Sequence, residues 1–204
     1  MSRRPKVKGK LMRRLIAMLV AVAGGSLLTG PVRAQETNAC LPVPATKLEA
    51  FDTNTDTVII RATAPIGTVP AQGGAVSVRC REITDAGTGR RESGMIVDIA
   101  FGGQLEAMML IDYDELDSLL DGMDYLGKLD WSVTSLPDFS AVYTTKGGFR
   151  ADARGSRRTG NIEFAVRSTR VSAPRLSLSR DQLGQLRSLV EQAKTKLDSL
   201  RKAK

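Results

Sequence analysis

Two stretches of this chain repeat one another, and the repeat restricts the possible folds more than any other feature. The first runs Gly89-Arg90-Arg91-Glu-Ser-Gly94-Met-Ile-Val-Asp-Ile-Ala-Phe101 and reaches Leu110-Ile111-Asp112-Tyr-Asp-Glu115-Leu116-Asp-Ser-Leu119. The second runs Gly155-Ser-Arg157-Arg158-Thr-Gly160-Asn-Ile-Glu-Phe-Ala-Val166 and reaches Leu176-Ser-Leu178-Ser179-Arg-Asp-Gln182-Leu183-Gly-Gln-Leu186. Gly94 and Leu116 are 22 residues apart, Gly160 and Leu183 are 23. In each copy an Arg-Arg and Gly turn leads into a strand, Met95 to Phe101 or Ile162 to Arg167. A second strand follows, Leu105 to Ile111 or Arg175 to Leu178. Each copy then meets a capping box, Asp112 with Glu115 and Ser179 with Gln182. In such a box the cap side chain and the third helical side chain satisfy orphaned backbone N–H groups reciprocally.

The helices predicted after these caps carry apolar stripes at helical spacing. Leu116, Leu119, Leu120, Met123 and Leu126 form the first, which stops near Gly127; Leu183, Leu186, Leu189, Val190, Ala193, Leu197 and Leu200 form the second. Two further strands precede each Arg-Arg turn: Thr57 to Thr63 and Ala75 to Ile83, then Phe139 to Thr145 and Gly148 to Arg154. Lys146-Gly147-Gly148 forms a tight hairpin turn. The expectation is an α+β fold of two pseudo-repeated antiparallel β-meander-plus-helix units packed as one domain, with units at 57–130 and 131–204. Residues 35–56 form an extended, Pro-containing N-terminal segment. The alternative is coincidence between two ordinary hairpin–helix segments.

Ahead of this body, residues 1–34 have the order of a secretory signal peptide. Arg3, Arg4, Lys6, Lys8, Lys10, Arg13 and Arg14 come first, then the apolar Leu15 to Ala23, then Val32-Arg33-Ala34 before polar Gln35. Cleavage near Ala34 places the mature chain in the periplasm or outside the cell; an uncleaved N-terminal anchor is the alternative. No later stretch is long and apolar enough to span a membrane. The whole chain carries 30 basic and 22 acidic residues, but eight of the basic ones and no acid lie in residues 1–34. The mature chain is therefore formally neutral, and the basic excess says nothing about partners. Its halves are opposite. Residues 35–135 hold 7 basic and 16 acidic side chains, and 136–204 hold 15 basic and 6 acidic. They attract one another, within one chain or between two copies in a homodimer.

In an exported protein, Cys40 and Cys80 are a candidate disulfide closing a forty-residue loop, worth about 3–4 kcal/mol on the chain-entropy model. Two free thiols are the alternative. Trp131, the single tryptophan, is a packing residue.

Most catalytic chemistry lacks its residues. With no histidine in the chain, triads, Cys-His pairs and His-ligated metals are excluded. There is no phosphate-binding P-loop and no nucleophile elbow. The acids Asp112, Asp114, Glu115, Asp117, Asp121 and Asp124 fail the calcium-loop pattern, because Asp117 stands where glycine is needed and Met123 where glutamate is needed. They are expected to favour the helix N-terminus and form a solvated face. No catalytic residue, metal site or cofactor is assigned. The basic run Lys146, Arg150, Arg154, Arg157 and Arg158 is the candidate anion-binding set, with a solvated hairpin as the plainer alternative.

Four strands followed by a capped helix resembles the repeat unit of the PC4, PUR and Whirly families of single-stranded nucleic-acid-binding proteins. The local match is Arg175-Leu-Ser-Leu-Ser-Arg-Asp-Gln-Leu-Gly-Gln-Leu-Arg187. The resemblance implies a basic, aromatic-bearing strand face, which Tyr143, Lys146, Phe149, Arg150 and Arg154 supply in the second unit alone. The stretches Ile111-Asp-Tyr-Asp-Glu-Leu-Asp-Ser-Leu-Leu120 and Tyr143-Thr-Thr-Lys-Gly-Gly-Phe149 resemble uncharacterised exported proteins of planctomycete-type bacteria, which implies a location and no activity. The sequence thus points to an exported, non-catalytic protein with a binding or structural role, or to a nucleic-acid- or polyanion-binding module using the basic strands of the second unit.

Overall fold

The computed structural model describes residues 43–202, so the expected signal peptide and Cys40 lie outside the described residues. The predicted meanders are present. In the first unit β1 (Ile59–Ala71), β2 (Gly74–Asp85), β3 (Arg91–Phe101) and β4 (Gln104–Asp112) pair in chain order, all antiparallel. In the second, β5 (Asp138–Thr144), β6 (Phe149–Ser156), β7 (Asn161–Ser168) and β8 (Leu176–Leu178) do the same. The two-residue loop between β3 and β4 is Gly102-Gly103, both at positive φ (54° and 84°), the backbone that a tight hairpin matched to strand twist demands.

A helix follows each sheet. Asp112 opens a 3₁₀ turn over Tyr113–Glu115 that continues as α2 (Leu116–Gly127). Ser179 caps α3 (Arg180–Lys202): its Oγ accepts from Gln182 N–H at 3.1 Å, and Gln182 Oε1 accepts from Ser179 N–H at 2.7 Å. The α2 stripe is buried as expected. In α3 the buried positions are Leu183, Leu186, Val190, Ala193 and Leu197, while Leu200 is exposed.

Three local features depart from the sequence reading. First, β1 extends to Ala71 through Pro65 and Pro70, with a bulge between Pro65 and Gly67. An edge strand tolerates proline because half of its N–H groups face no partner. Second, the segment expected to be extended contains α1 (Lys47–Asp52). Thr46 Oγ1 accepts from Glu49 N–H at 3.0 Å, and Glu49 Oε2 accepts from Ala45 N–H at 2.8 Å. The signal was present in Thr46-Lys-Leu-Glu49, a Thr-x-x-Glu start with apolar Leu48 and Phe51 three apart. Third, Gly94 is not the counterpart of Gly160. Gly160 sits in a turn at φ 71°, as Gly89 does at 70°, whereas Gly94 lies inside β3. A Cβ on Gly94 would meet the Ile111 carbonyl oxygen at 2.2 Å and Leu48 Cδ1 at 2.7 Å, so glycine is needed there for close packing.

The two units exchange their helices. α3 lies across β1 and β2 of the first sheet, and α2 lies against β5 and β6 of the second and against α3. One face of each sheet, with both helices between, forms a single core containing Val78, Met95, Ile111, Leu119, Phe149, Val166, Leu186 and Val190. The outer face of the first sheet is partly covered by α1, where Leu48 and Phe51 pack on Ile83, Ile96 and Leu110. Asp112, 2 % exposed, holds that helix: its carboxylate accepts the N–H of Lys47 at 2.7 Å and of Leu48 at 3.0 Å.

The opposite charges of the two halves meet within the chain. Arg187 of α3 grips Asp124 of α2 through two bonds of 2.7 and 3.0 Å, and this guanidinium holds the Asp124 carboxyl below its ordinary range. Lys194 pairs with Asp117, and Arg170 with Glu49 of α1. Buried Glu115 accepts the Lys146 N–H at 2.8 Å, tying the β5–β6 turn to the end of β4. Of the acids expected to form a solvated face, Asp114, Asp117 and Asp121 are exposed, while Asp112 and Glu115 are buried; Glu115, Asp117 and Asp124 also contact the second half.

The Cys40–Cys80 disulfide is not part of the described structure. Cys80 is a free thiol, 3 % exposed, lying under α3 with its sulfur 3.5 Å from the Ala193 carbonyl. α1, where the described chain begins, packs on the opposite face of that sheet. Among the described residues no helix is long and apolar enough to cross a membrane.

Candidate anion-binding face

The second sheet keeps one face outside the core. Strand alternation decides which side chains it carries: Phe139, Ala141, Tyr143, Phe149, Ala151, Ala153, Phe164 and Val166 point inward, and the residues between them point out. Cross-strand register then arranges the outer face in rows. Thr144, Arg150 and Arg167 form one row; Val142, Asp152, Ala165 and Ser177 the next; Ser140, Arg154 and Glu163 the third.

The first row is electrostatically unusual. Arg150 and Arg167 stand directly opposite each other on neighbouring strands, an arrangement that repels. Among the described residues neither has an ion-pair partner, and the Nε of each is buried without an acceptor. The second row holds Asp152, whose side chain is fully buried under its neighbours. Arg175 reaches its Oδ2 at 3.0 Å and Arg154 at 3.5 Å, while Oδ1 has no partner. Arg175 also approaches Glu163 at 3.9 Å. Four arginines thus face two carboxylates, and the excess lies with Arg150 and Arg167.

The expected anion-binding residues fall in three places. Arg150 and Arg154 lie on this face. Arg158 sits at its edge, where with Arg154, Ser156, Thr159 and Asn161 it lines an open cleft of about 300 Å³. Lys146 is in the β5–β6 turn near Asp114, at 4.0 Å. Arg157 is engaged by the linker between the units: it donates to the carbonyls of Trp131 (2.8 Å), Thr134 (2.9 Å) and Leu136 (3.3 Å) and lies over the Trp131 ring at 5.4 Å. Trp131 in turn packs edge-on against Phe139, a packing role as expected. Sequence reasoning missed Arg167 and Arg175, which belong to the face although they lie outside the basic run. Their signal was alternation: Arg167 is three residues beyond inward Phe164, on the opposite face.

The face differs from an aromatic nucleic-acid platform. Phe149 is 1 % exposed in the core, and Tyr143 packs on α2, its hydroxyl bonded to Ser118 Oγ at 2.8 Å.

The chain matches no protein-family model. It matches no curated protein either. Among solved structures it is similar to one described as "Structure of the plant transcriptional regulator PBF-2", at 12 % identity and a TM-score of 0.31, covering 73 % of this chain and 87 % of that one. At that level the likeness assigns neither a family nor a ligand.

Among the described residues no group of three or more Cys, Asp or Glu side chains is placed to hold a metal ion. What the outer face offers is donors: guanidinium pairs for anionic oxygens, with the hydroxyls of Ser140, Thr144 and Ser177 beside them.

Proposed function

We propose that the mature chain is an exported, non-catalytic binding protein whose ligand is a polyanion docked on the outer face of β5–β8. One observation carries this reading: Arg150 and Arg167 stand side by side with no acidic partner among the described residues. Several other arginines are engaged, Arg187 by Asp124, Arg79 by Asp98, and Arg157 and Arg180 by backbone carbonyls. Two facing guanidiniums left unmatched on an open sheet suit anionic oxygens from outside. Export is supported by the basic, apolar and small-residue order of residues 1–34.

The test uses protein recovered from the exported fraction, expected by intact mass to begin at Gln35. At low salt it is retained on immobilised heparin. The double variant Arg150→Ala/Arg167→Ala binds soluble heparin about tenfold more weakly, and its log–log salt slope falls by about 2. Arg158→Ala, at the edge of the face, changes binding less. Protein that flows through at low salt, or a double variant that binds as the wild type does, would overturn the reading.

A further inference from the structure

The outer face carries an acceptor as well as donors, and the acceptor narrows the ligand class. Asp152 occupies the centre of the face, between the Arg150 and Arg154 rows on β6. Its carboxylate is wholly buried, yet only Oδ2 is engaged, by Arg175 and Arg154, and Oδ1 lacks a donor. A buried acceptor without a partner is costly, and a ligand that brings a donor removes the cost. Arg154 is the movable cover. Its side chain is 53 % exposed and holds Asp152 only at 3.5 Å, so it can turn to an incoming anion and uncover the carboxylate.

A ligand for this face therefore brings anionic oxygens for Arg150 and Arg167 and, one row away, a hydroxyl donor for Asp152. Adjacent rows on a strand are about 6.6 Å apart. A bare polyanion has no donor for Asp152. Single-stranded nucleic acid is bound by stacking bases on aromatic rings, and here Phe139, Tyr143, Phe149 and Phe164 all point into the core. Acidic sugars combine carboxylates or sulfates with free hydroxyls on one small ring. We infer that the second sheet binds an acidic polysaccharide, with Arg150 and Arg167 holding its anionic groups and Asp152 accepting from a sugar hydroxyl. The inference rests on the polyanion reading above.

The experiment compares polygalacturonate, polyacrylate of matched charge density and oligo-dT, by competition against labelled heparin on the mature chain. The wild type is expected to bind polygalacturonate at least tenfold more tightly than either of the others. Asp152→Asn adds net positive charge to the face, and the sign of its effect separates the possibilities. If the site reads charge alone, the variant tightens every polyanion equally. If Asp152 accepts from a sugar hydroxyl, the variant tightens polyacrylate and narrows or abolishes the preference for polygalacturonate. Equal binding of polygalacturonate and polyacrylate by the wild type overturns the inference while leaving the polyanion reading intact. So does tighter binding of oligo-dT. Failure of all three to compete while heparin is still bound overturns the inference alone, and no binding of labelled heparin overturns both. The wild-type comparison decides the matter even if Asp152→Asn fails to fold.

Discussion

The exchange of helices between the two sheets can be tested at a single glycine. Gly122 lies in α2, and a Cβ built there would come within 2.4 Å of Tyr143 Cδ2 and 2.8 Å of its Cγ, on β5 of the other unit. The ring cannot swing clear. Its Cγ is part of the clash, and its hydroxyl is bonded to Ser118 Oγ one helical turn earlier. Ordinary contact begins at 3.4 Å, so ring and helix must separate by roughly 1 Å. Replacing glycine by alanine inside a helix stabilises by about 1 kcal/mol when space allows. Overpacking of this kind costs about 1–3 kcal/mol. Gly122→Ala is therefore expected to be neutral or destabilising by up to about 2 kcal/mol. In a Tyr143→Ala background the clash is gone, and the same change stabilises by about 1 kcal/mol. Urea denaturation of the four proteins gives the coupling, expected at about 1–3 kcal/mol. If Gly122→Ala stabilises equally in both backgrounds, Tyr143 does not lie against α2, and the helix exchange is wrong.

Asp112→Ala removes the acceptor for two amides of α1 and is expected to cost about 1–3 kcal/mol, with amide exchange accelerating across Lys47–Asp52; unchanged protection there would contradict the capping role. Burial pushes the Cys80 thiol pKa up, so the neutral thiol persists above its usual range and the reactive thiolate is scarce. In a Cys40→Ser variant of the mature chain, alkylation at pH 8 is expected to be slow in the native state and complete for one thiol per chain after unfolding; rapid native labelling would show that α3 does not cover the sulfur. Thiol titration of the unfolded wild-type mature chain without reductant tests the Cys40–Cys80 bridge: no titratable thiol establishes it, and two thiols refute it.

Much of this architecture was legible in the chain because its signals are local. Strand alternation, helical stripes, glycine turns and capping boxes act within a few residues, and among the described residues they marked eight strands and two of the three α-helices. The opposite charges of the halves also foretold that the halves would meet. β1 was cut short because Pro65 and Pro70 normally end a strand; only its place at the sheet edge makes them harmless. α1 was missed because six residues are too few to hold a helix by propensity, and it exists because Asp112, more than sixty residues away, accepts its N–H groups.

The candidate site was half visible. The basic run pointed to the right sheet, but charge along the chain does not say which arginines are matched. Arg157 fell to three carbonyls and an indole ring in the linker, and Arg167 came opposite Arg150 through antiparallel register. Nor does an amphipathic stripe name its partner. Leu186 and Val190 carry the same apolar message whichever sheet lies beneath them. The sequence by itself determined the elements, their order and the faces they bury. The tertiary structure alone decided that each helix covers the other unit's sheet, that Cys80 lies under α3, and that Arg150 and Arg167 face each other with no acidic partner among the described residues.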